Sequence, residues 1–376
     1  MFVAWRDLRF AKGRFALMGA VVALITLLVG LLSGLTAGLA RENVSAVTGL
    51  PVSYLAFAPP AGGGEVSFAD SRVPESAWLA WRAQPGVTSA EPLGIRTTRA
   101  ASGERTAAVS VFGVDPDGRL APRGASPAPG RVVLTEKAAE ELGGLAAGAR
   151  LRIGRLDLTV AAVSGTAAHS HTPVVWMDLG DWRRTGDPGG STDPGGSTDP
   201  AGPADSADAF ATVVAVAGSG PDLAAADAAA GTRTRTVDEA LDAIGSYRAE
   251  NGSLQLMRGF LFAISALVTG AFFTVWTIQR SGDVAVLKAL GASTPYLLRD
   301  ALGQAVVMLA AGTGLGTALA AGLGVLIGGA DVPFVLDAPT VLVPAGVMIA
   351  LGALGAALSI RRITAVDPLT ALGSAR

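Results

Sequence analysis

The sequence contains no cysteine, only two histidines and only three lysines (Lys12, Lys137 and Lys288). Without cysteine there can be no disulfide scaffold, zinc ribbon, thiol nucleophile or iron–sulfur ligation. Two histidines leave little material for a His-based metal centre or a catalytic triad. Charged residues make up only 16% of the chain and the formal net charge is −2, which excludes a strongly basic nucleic-acid binder. No G-x-S-x-G and no carboxylate pair in a motif context occurs, so no catalytic residue is assigned. Nor is there a G-x-x-x-x-G-K-S/T loop, so the chain cannot cradle nucleotide phosphates by that mechanism.

What is present is apolar. Half of the 376 residues are hydrophobic and the mean hydropathy is +0.46, above the range of ordinary soluble domains. Four runs, 17–39, 256–278, 301–327 and 340–360, meet the roughly 20 apolar residues that a helix needs to cross about 30 Å of hydrocarbon. Only the second contains a charge, Arg258. These runs predict four transmembrane helices.

Orientation follows from basic residues in the short flanks. Arg6, Arg9, Lys12 and Arg14 precede the first run, Arg280, Lys288 and Arg299 lie between the second and third, and Arg361, Arg362 and Arg376 follow the fourth. These three segments, net +6, are expected in the cytoplasm together with both termini. The connection 328–339 carries Asp331 and Asp337 and no base. Residues 41–255 hold 18 basic and 25 acidic residues, net −7, and fall outside. The first run is 23 residues long; a secretory h-region is about 7–15, so an uncleaved anchor is expected.

The outer segment, 40–255, is long enough for its own core. Strand-like runs lie at 52–57, 94–100, 107–114, 131–134, 149–154, 156–163, 173–177 and 211–217. Helical patterns lie at 75–84, 136–142, 221–230 and 237–250. Leu151/Ile153 and Leu156/Leu158/Val160 alternate as half-buried strands do. The expected fold is therefore an α-helical membrane protein with four transmembrane helices plus an α+β extracytoplasmic domain inserted between helices 1 and 2. Within that domain 187–203 opens with DPGGSTDPGGSTDP, a low-complexity surface loop. His169-Ser170-His171 places two imidazoles at i,i+2, but a closed metal site needs further ligands, so a polar loop is expected and metal ligands are none. Trp78 and Trp81 at i,i+3 read as core or domain-docking residues.

Two features remain. Gly30, Gly34 and Gly38 share one face of the first span, and Gly312/Gly316 and Gly324/Gly328 repeat the spacing in the third. Small residues let helices approach closely where lipid supplies no hydrophobic drive; the spacing alone leaves open packing within one subunit or across a dimer. In the 279–300 loop, RSGDVAVLKALGAS places Val284, Leu287 and Leu290 at helical spacing, with Asp283 early, Lys288 later and Gly291 as a C-cap. Such a helix can lie on lipid headgroups or dock a partner.

That stretch resembles the cytoplasmic loop of the MacB/FtsX-like ABC transporter permeases, roughly R-x-x-E-(I/F)-(G/A)-(V/L)-L-(R/K)-A-(L/I)-G-A-(S/T). Arg280, Val284 to Ser293 fit the pattern, and Asp283 stands where Glu is usual. Trp5-Arg6-Asp7-Leu8-Arg9 is similar to the family's amphipathic N-terminal helix (1–16 here), the stretch from Pro129 to Gly165 to its extracytoplasmic core-domain signature, and Asp367-Pro368-Leu369-Thr370-Ala371-Leu372 to its D-P-x-x-A-L tail within the cytoplasmic segment 361–376. The resemblance implies a non-catalytic permease of a bacterial plasma membrane. Asp283, Val284, Val286, Leu287, Lys288, Ala289, Leu290, Gly291, Ala292 and Ser293 are then a coupling helix for a separate ATPase subunit, which binds ATP and Mg; this chain holds no cofactor. It further implies a homodimer or a dimer with a paralogous permease, contact with membrane lipids and with an envelope protein or substrate at the outer domain, and no nucleic acid. Within such a family the outcome is export or extrusion of a substrate, or FtsX-like regulation of envelope enzymes without transport. An ATP-independent membrane-anchored ligand sensor is the alternative from outside the family.

Overall fold

Apolar stretches of this length satisfy their backbone only as helices where water is absent, and here the helices outrun the stretches themselves. A computed structural model of the chain describes residues 12–60, 62–122, 124–185, 209–279, 286, 291, 293–327, 334–335 and 337–364. In chain order the elements are α1 (Lys12–Thr48), β1 (Tyr54–Phe57), α2 (Glu75–Arg82), β2 (Val87–Ser102), β3 (Arg105–Val114), β4 (Arg131–Leu134) and α3 (Glu136–Glu141). There follow β5 (Arg150–Ile153), β6 (Leu156–Val163), β7 (Ala168–His169), β8 (Thr172–Asp178), α4 (Leu179–Arg184), β9 (Val213–Gly218), α5 (Leu223–Ala230) and β10 (Arg233–Thr236). Last come α6 (Val237–Ala240), a 3-10 turn (Leu241–Ala243), α7 (Gly245–Gln279), α8 (Thr294–Ile327) and α9 (Ala338–Thr364). The low-complexity segment 187–203 lies outside the described residues, as do the N-terminal segment 1–11 and the tail from residue 365.

The chain divides into two units: Ala40–Glu250, and Met1–Leu39 with Asn251–Arg376. In the second, four helices are long and apolar enough to cross a membrane, at Ala16–Thr48, Gly245–Val275, Arg299–Ile327 and Ala338–Leu358. Met18, Val22, Phe273, Ala305, Leu309 and Ala356 form its buried apolar cluster.

The α+β unit is built on one long strand. The first half of β2 pairs with β9, from Val87 to Leu93, and completes an antiparallel sheet in the order β10–β1–β9–β2. With α2 between β1 and β2, and α5 between β9 and β10, this is the ferredoxin-like βαββαβ arrangement. The second half of β2, from Gly94, pairs with β3 and starts a second sheet, β2–β3–β8–β4–β6–β5. Ala100 and Ala101 of β2 then pair with Ile153 and Arg152 of β5, so this sheet closes on itself as a small barrel and loses its free edges.

Three apolar clusters follow from strand alternation. Val109, Val111, Val132, Leu134, Ile153, Val160 and Met177, from the common face of the barrel strands, pack with Trp182 of α4. Trp81 and Ala77 of α2 pack with Ala226 of α5 on Ala56, Val214 and Val216. Leu55, Phe57, Phe68, Leu93, Phe112 and Trp176 form the third cluster, which Val44 and Val47 of α1 and Ile244 join. Trp81 is a core residue whose indole N–H donates to Thr232 Oγ1 at 3.0 Å, and Trp78 stacks on Phe210 at 5.3 Å.

One expected helix is corrected. Residues 237–250 do not form a single helix: α6 opens with a capping box between Thr236 and Glu239, tightens into the 3-10 turn and stops at Ile244, whose ψ is 108°. Burying Ile244 (2% exposed) in the third cluster outweighs helical continuity, and α7 restarts at Gly245. β7 and β10 are strands that the pattern did not reveal; Arg-Thr-Arg-Thr has almost no apolar signal.

The handover from one sheet to the other needs two glycines. A Cβ at Gly94 or Gly113, neighbours across β2 and β3, would collide with the Trp182 side chain, which is 1% exposed and covered by Arg96 at 4.6 Å. Gly113→Val is expected to cost about 1–3 kcal/mol by overpacking. Tryptophan-detected unfolding of the full chain measures it; an unchanged midpoint would contradict this packing.

Candidate functional site

Of the loop residues singled out above, the structure describes Val286, Gly291 and Ser293; Asp283, Val284, Leu287, Lys288, Ala289, Leu290 and Ala292 lie outside the described residues. Val286 is helical and 58% exposed. Gly291 sits in a turn at φ +95°, the left-handed region that a helix C-cap uses and that a side chain resists. The Ser293 carbonyl then accepts the Tyr296 N–H at 3.1 Å, where α8 begins.

The glycine faces bring α1 and α8 together within this chain. A Cβ at Gly30 would stand 2.9 Å from Ala320 Cβ, and one at Gly312 would stand 2.9 Å from Val22 Cγ1. Gly316 faces the Ala23 carbonyl and Thr26, and Gly34 lies under the Phe334 ring, with its carbonyl accepting the Val335 N–H at 3.1 Å. Gly38 and Gly324 are buried, while Gly328 lies outside the described residues. Close backbone approach, with van der Waals contact in place of a hydrophobic drive, is what these positions supply.

The core-domain signature also has a physical reading. Gly130 adopts φ +75° and its N–H donates to Asp181 Oδ2 at 2.6 Å. Asp181 is buried (1% exposed), pairs with Arg184, and its own N–H donates to Asp178 Oδ1, the cap of α4. The Pro129-Gly130 turn is thus fixed to the helix that carries Trp182.

The His169-Ser170-His171 segment is not the plain polar loop expected from its composition. Ser170 and His171 have φ of +50° and +61°, so the strand alternation that would align the two imidazoles is broken. His169 is buried (4% exposed) between Phe68 and Phe112, at ring distances of 5.7 and 5.6 Å. His171 turns the other way, to Asn43 of α1 and Glu250 of α7. Among the described residues no group of three or more His, Asp or Glu could hold a metal ion. Sequence reasoning missed Asn43 and Glu250 because they lie 128 and 79 residues from His171, with no shared motif.

A family profile described as the MacB-like periplasmic core domain matches residues 18–233, and one described as the FtsX-like permease C-terminal region matches 256–368. A protein of Staphylococcus epidermidis named as a hemin transport system permease protein, HrtB, is 33% identical over 146 residues, covering 38% of this chain and 41% of that protein. A Staphylococcus haemolyticus protein of the same name is 37% identical over 132 residues, covering 35% and 37%. The chain thus matches about two fifths of the length of these relatives. Among solved structures, the extracellular domain of the ABC-type transporter YknZ from Gram-positive bacteria aligns with 12% identity and a TM-score of 0.33, over 49% of this chain and 98% of that one. The periplasmic region of MacB from Actinobacillus actinomycetemcomitans aligns with 11% identity and a TM-score of 0.34, over 51% and 92%.

Burial pushes the His169 imidazole down from 6.5 to about 4. The unfolded chain therefore takes up a proton near pH 6.5 that the folded chain refuses until about pH 4, so stability falls as pH drops through that window. The full loss is about 3 kcal/mol by pH 4. Urea unfolding of the full chain at pH 7.5 and 4.5 is expected to show this decline, and His169→Phe to reduce it. An equal acid-side loss in the variant would contradict the assignment.

Proposed function

From the premise that this chain belongs to the MacB/FtsX-like ABC transporter permease family, we propose that it is the membrane subunit of an ABC transporter that couples ATP hydrolysis by a separate ATPase subunit to extrusion of a substrate. It is a multi-pass membrane protein with an extracellular α+β domain. In the proposed arrangement both termini and the 279–300 loop are cytoplasmic, and the α+β domain is inserted on the outside between helices 1 and 2. The observation that carries the reading is that the two family profiles tile the chain in order, one over 18–233 and the other over 256–368.

In this reading Asp283 to Ser293 form a coupling helix that docks on the ATPase. ATP and Mg are bound by that subunit, since this chain has no phosphate-cradling loop. Two properties of the loop support docking: it is short of charges to desolvate, and Gly291 gives it a defined end. Leu256, Phe260, Ile264 and Leu267 of α7 are exposed apolar residues, a surface suited to lipid or to a second permease, either a copy or a paralogue. A substrate that partitions into the bilayer fits a chain with few charges in its spans, and the name of the Staphylococcus relatives makes hemin the first compound to test.

The test is ATP hydrolysis by a candidate ATPase subunit, measured with and without the full chain in lipid vesicles. Leu287→Asp or Leu290→Asp places a carboxylate where an apolar contact is expected, and burying it unpaired costs several kcal/mol. Stimulation is therefore expected to fall about tenfold or more, with the chain still inserted in the membrane. Stimulation that survives both substitutions would reject the coupling role, and absence of any stimulation by the unaltered chain would favour a sensor that works without ATP.

A further inference from the structure

The turn between β7 and β8 holds two consecutive non-glycine residues at positive φ, Ser170 and His171. Such backbone persists only when its surroundings over-determine it, and here they do. The Ser170 N–H donates to the Asn43 carbonyl at 2.9 Å, and the Ala168 N–H donates to Ser45 Oγ at 2.9 Å, so the hairpin is bonded to α1 at its tip and along β7. Ser170 Oγ lies 2.9 Å from Ser246 Oγ on α7, and Ser246 Oγ donates to Asn43 Oδ1 at 2.6 Å. Asn43 Nδ2 donates to Glu250 Oε2 at 3.0 Å. His171 Nε2 lies 2.8 and 3.0 Å from the two oxygens of the same carboxylate and 2.8 Å from Asn43 Nδ2.

The hub is Asn43, 1% exposed, whose amide is used at both ends. A buried amide at this place is expensive unless both its oxygen and its nitrogen are satisfied. Its oxygen is satisfied by Ser246 and its nitrogen by Glu250, both on α7, and the hairpin joins the same residues through Ser170 and His171. The hairpin leads directly into β8, which lies between β3 and β4 in the closed sheet. A displacement of α1 or α7 at these residues therefore reaches a central strand, not a loose loop.

We propose that Asn43, His171 and Glu250, with Ser170 and Ser246, form a fixed joint that fastens α1 and α7 to the β7–β8 turn, and that movement of the two helices reaches the outer domain through it. The second half rests on the transport reading above. Asn43, His171 and Glu250 are positioning residues, and the joint stays closed while the helices move.

The chain has no cysteine, so Ser170→Cys with Ser246→Cys introduces one defined disulfide where two hydroxyls already lie 2.9 Å apart. Hydrogen exchange of the 167–173 segment is followed in the full chain in phosphatidylethanolamine–phosphatidylglycerol nanodiscs. Asn43→Ala is expected to speed it about tenfold or more, and the disulfide, added to Asn43→Ala, to return it to the original rate until dithiothreitol is added. In cells that also express the candidate ATPase subunit, Asn43→Ala is expected to lower hemin tolerance and the disulfide to restore it. Exchange in Asn43→Ala within twofold of the unaltered chain would overturn the joint. Restored protection without restored tolerance would overturn its role in transmission. Should the unaltered chain confer no hemin tolerance, the choice of hemin fails, and the exchange measurement still decides the joint.

Discussion

The structure depends on how a helix that belongs in lipid ends in a polar domain. α1 has 37 residues and α7 has 35, or more than 50 Å each at about 1.5 Å per residue, against roughly 30 Å of hydrocarbon. The excess must be stabilised by something other than lipid. In α1 it is covered on the apolar side by Val44 and Val47, which join the core of Leu55, Phe57 and Phe112, and on the polar side by Asn43 and Ser45, which bond the β7–β8 hairpin. In α7 it is Ser246 and Glu250 that bond the same network. The two helices thus share polar partners in a domain whose two sheets also share one apolar cluster.

Much of this was legible in the sequence wherever one element carries its own signal. Residues 131–134 and 156–163 are strands as their apolar alternation suggests, and the four long helices fall on the four apolar runs. The signal fails where the reason for a conformation lies elsewhere in the chain. β10 has no apolar pattern because one side of Arg-Thr-Arg-Thr is held by pairing to β1. The break before Gly245 is set by a pocket for Ile244 in a core assembled from distant strands. Barrel closure rests on two residue pairs between β2 and β5, which no local pattern announces.

The candidate site divides in the same way. Glycine spacing marked Gly30, Gly34, Gly312 and Gly316 as contact positions, and the geometry shows which residue each one admits. The His-Ser-His segment gave a misleading cue, because composition describes its polarity and not its backbone. Two positive φ angles send one imidazole into an aromatic core and the other to a carboxylate on another helix. Asn43 could not have been singled out at all: a lone Asn in a helix is ordinary until its partners are known.

The proposed function requires the 279–300 loop to lie on one side of the membrane and the α+β domain on the other. Because the chain lacks cysteine, its sidedness can be measured directly with a membrane-impermeant maleimide on two exposed positions, Val286→Cys and Glu104→Cys. The account predicts that intact cells label Glu104→Cys alone and that inverted vesicles label Val286→Cys alone. Labelling of Val286→Cys from outside intact cells would contradict it.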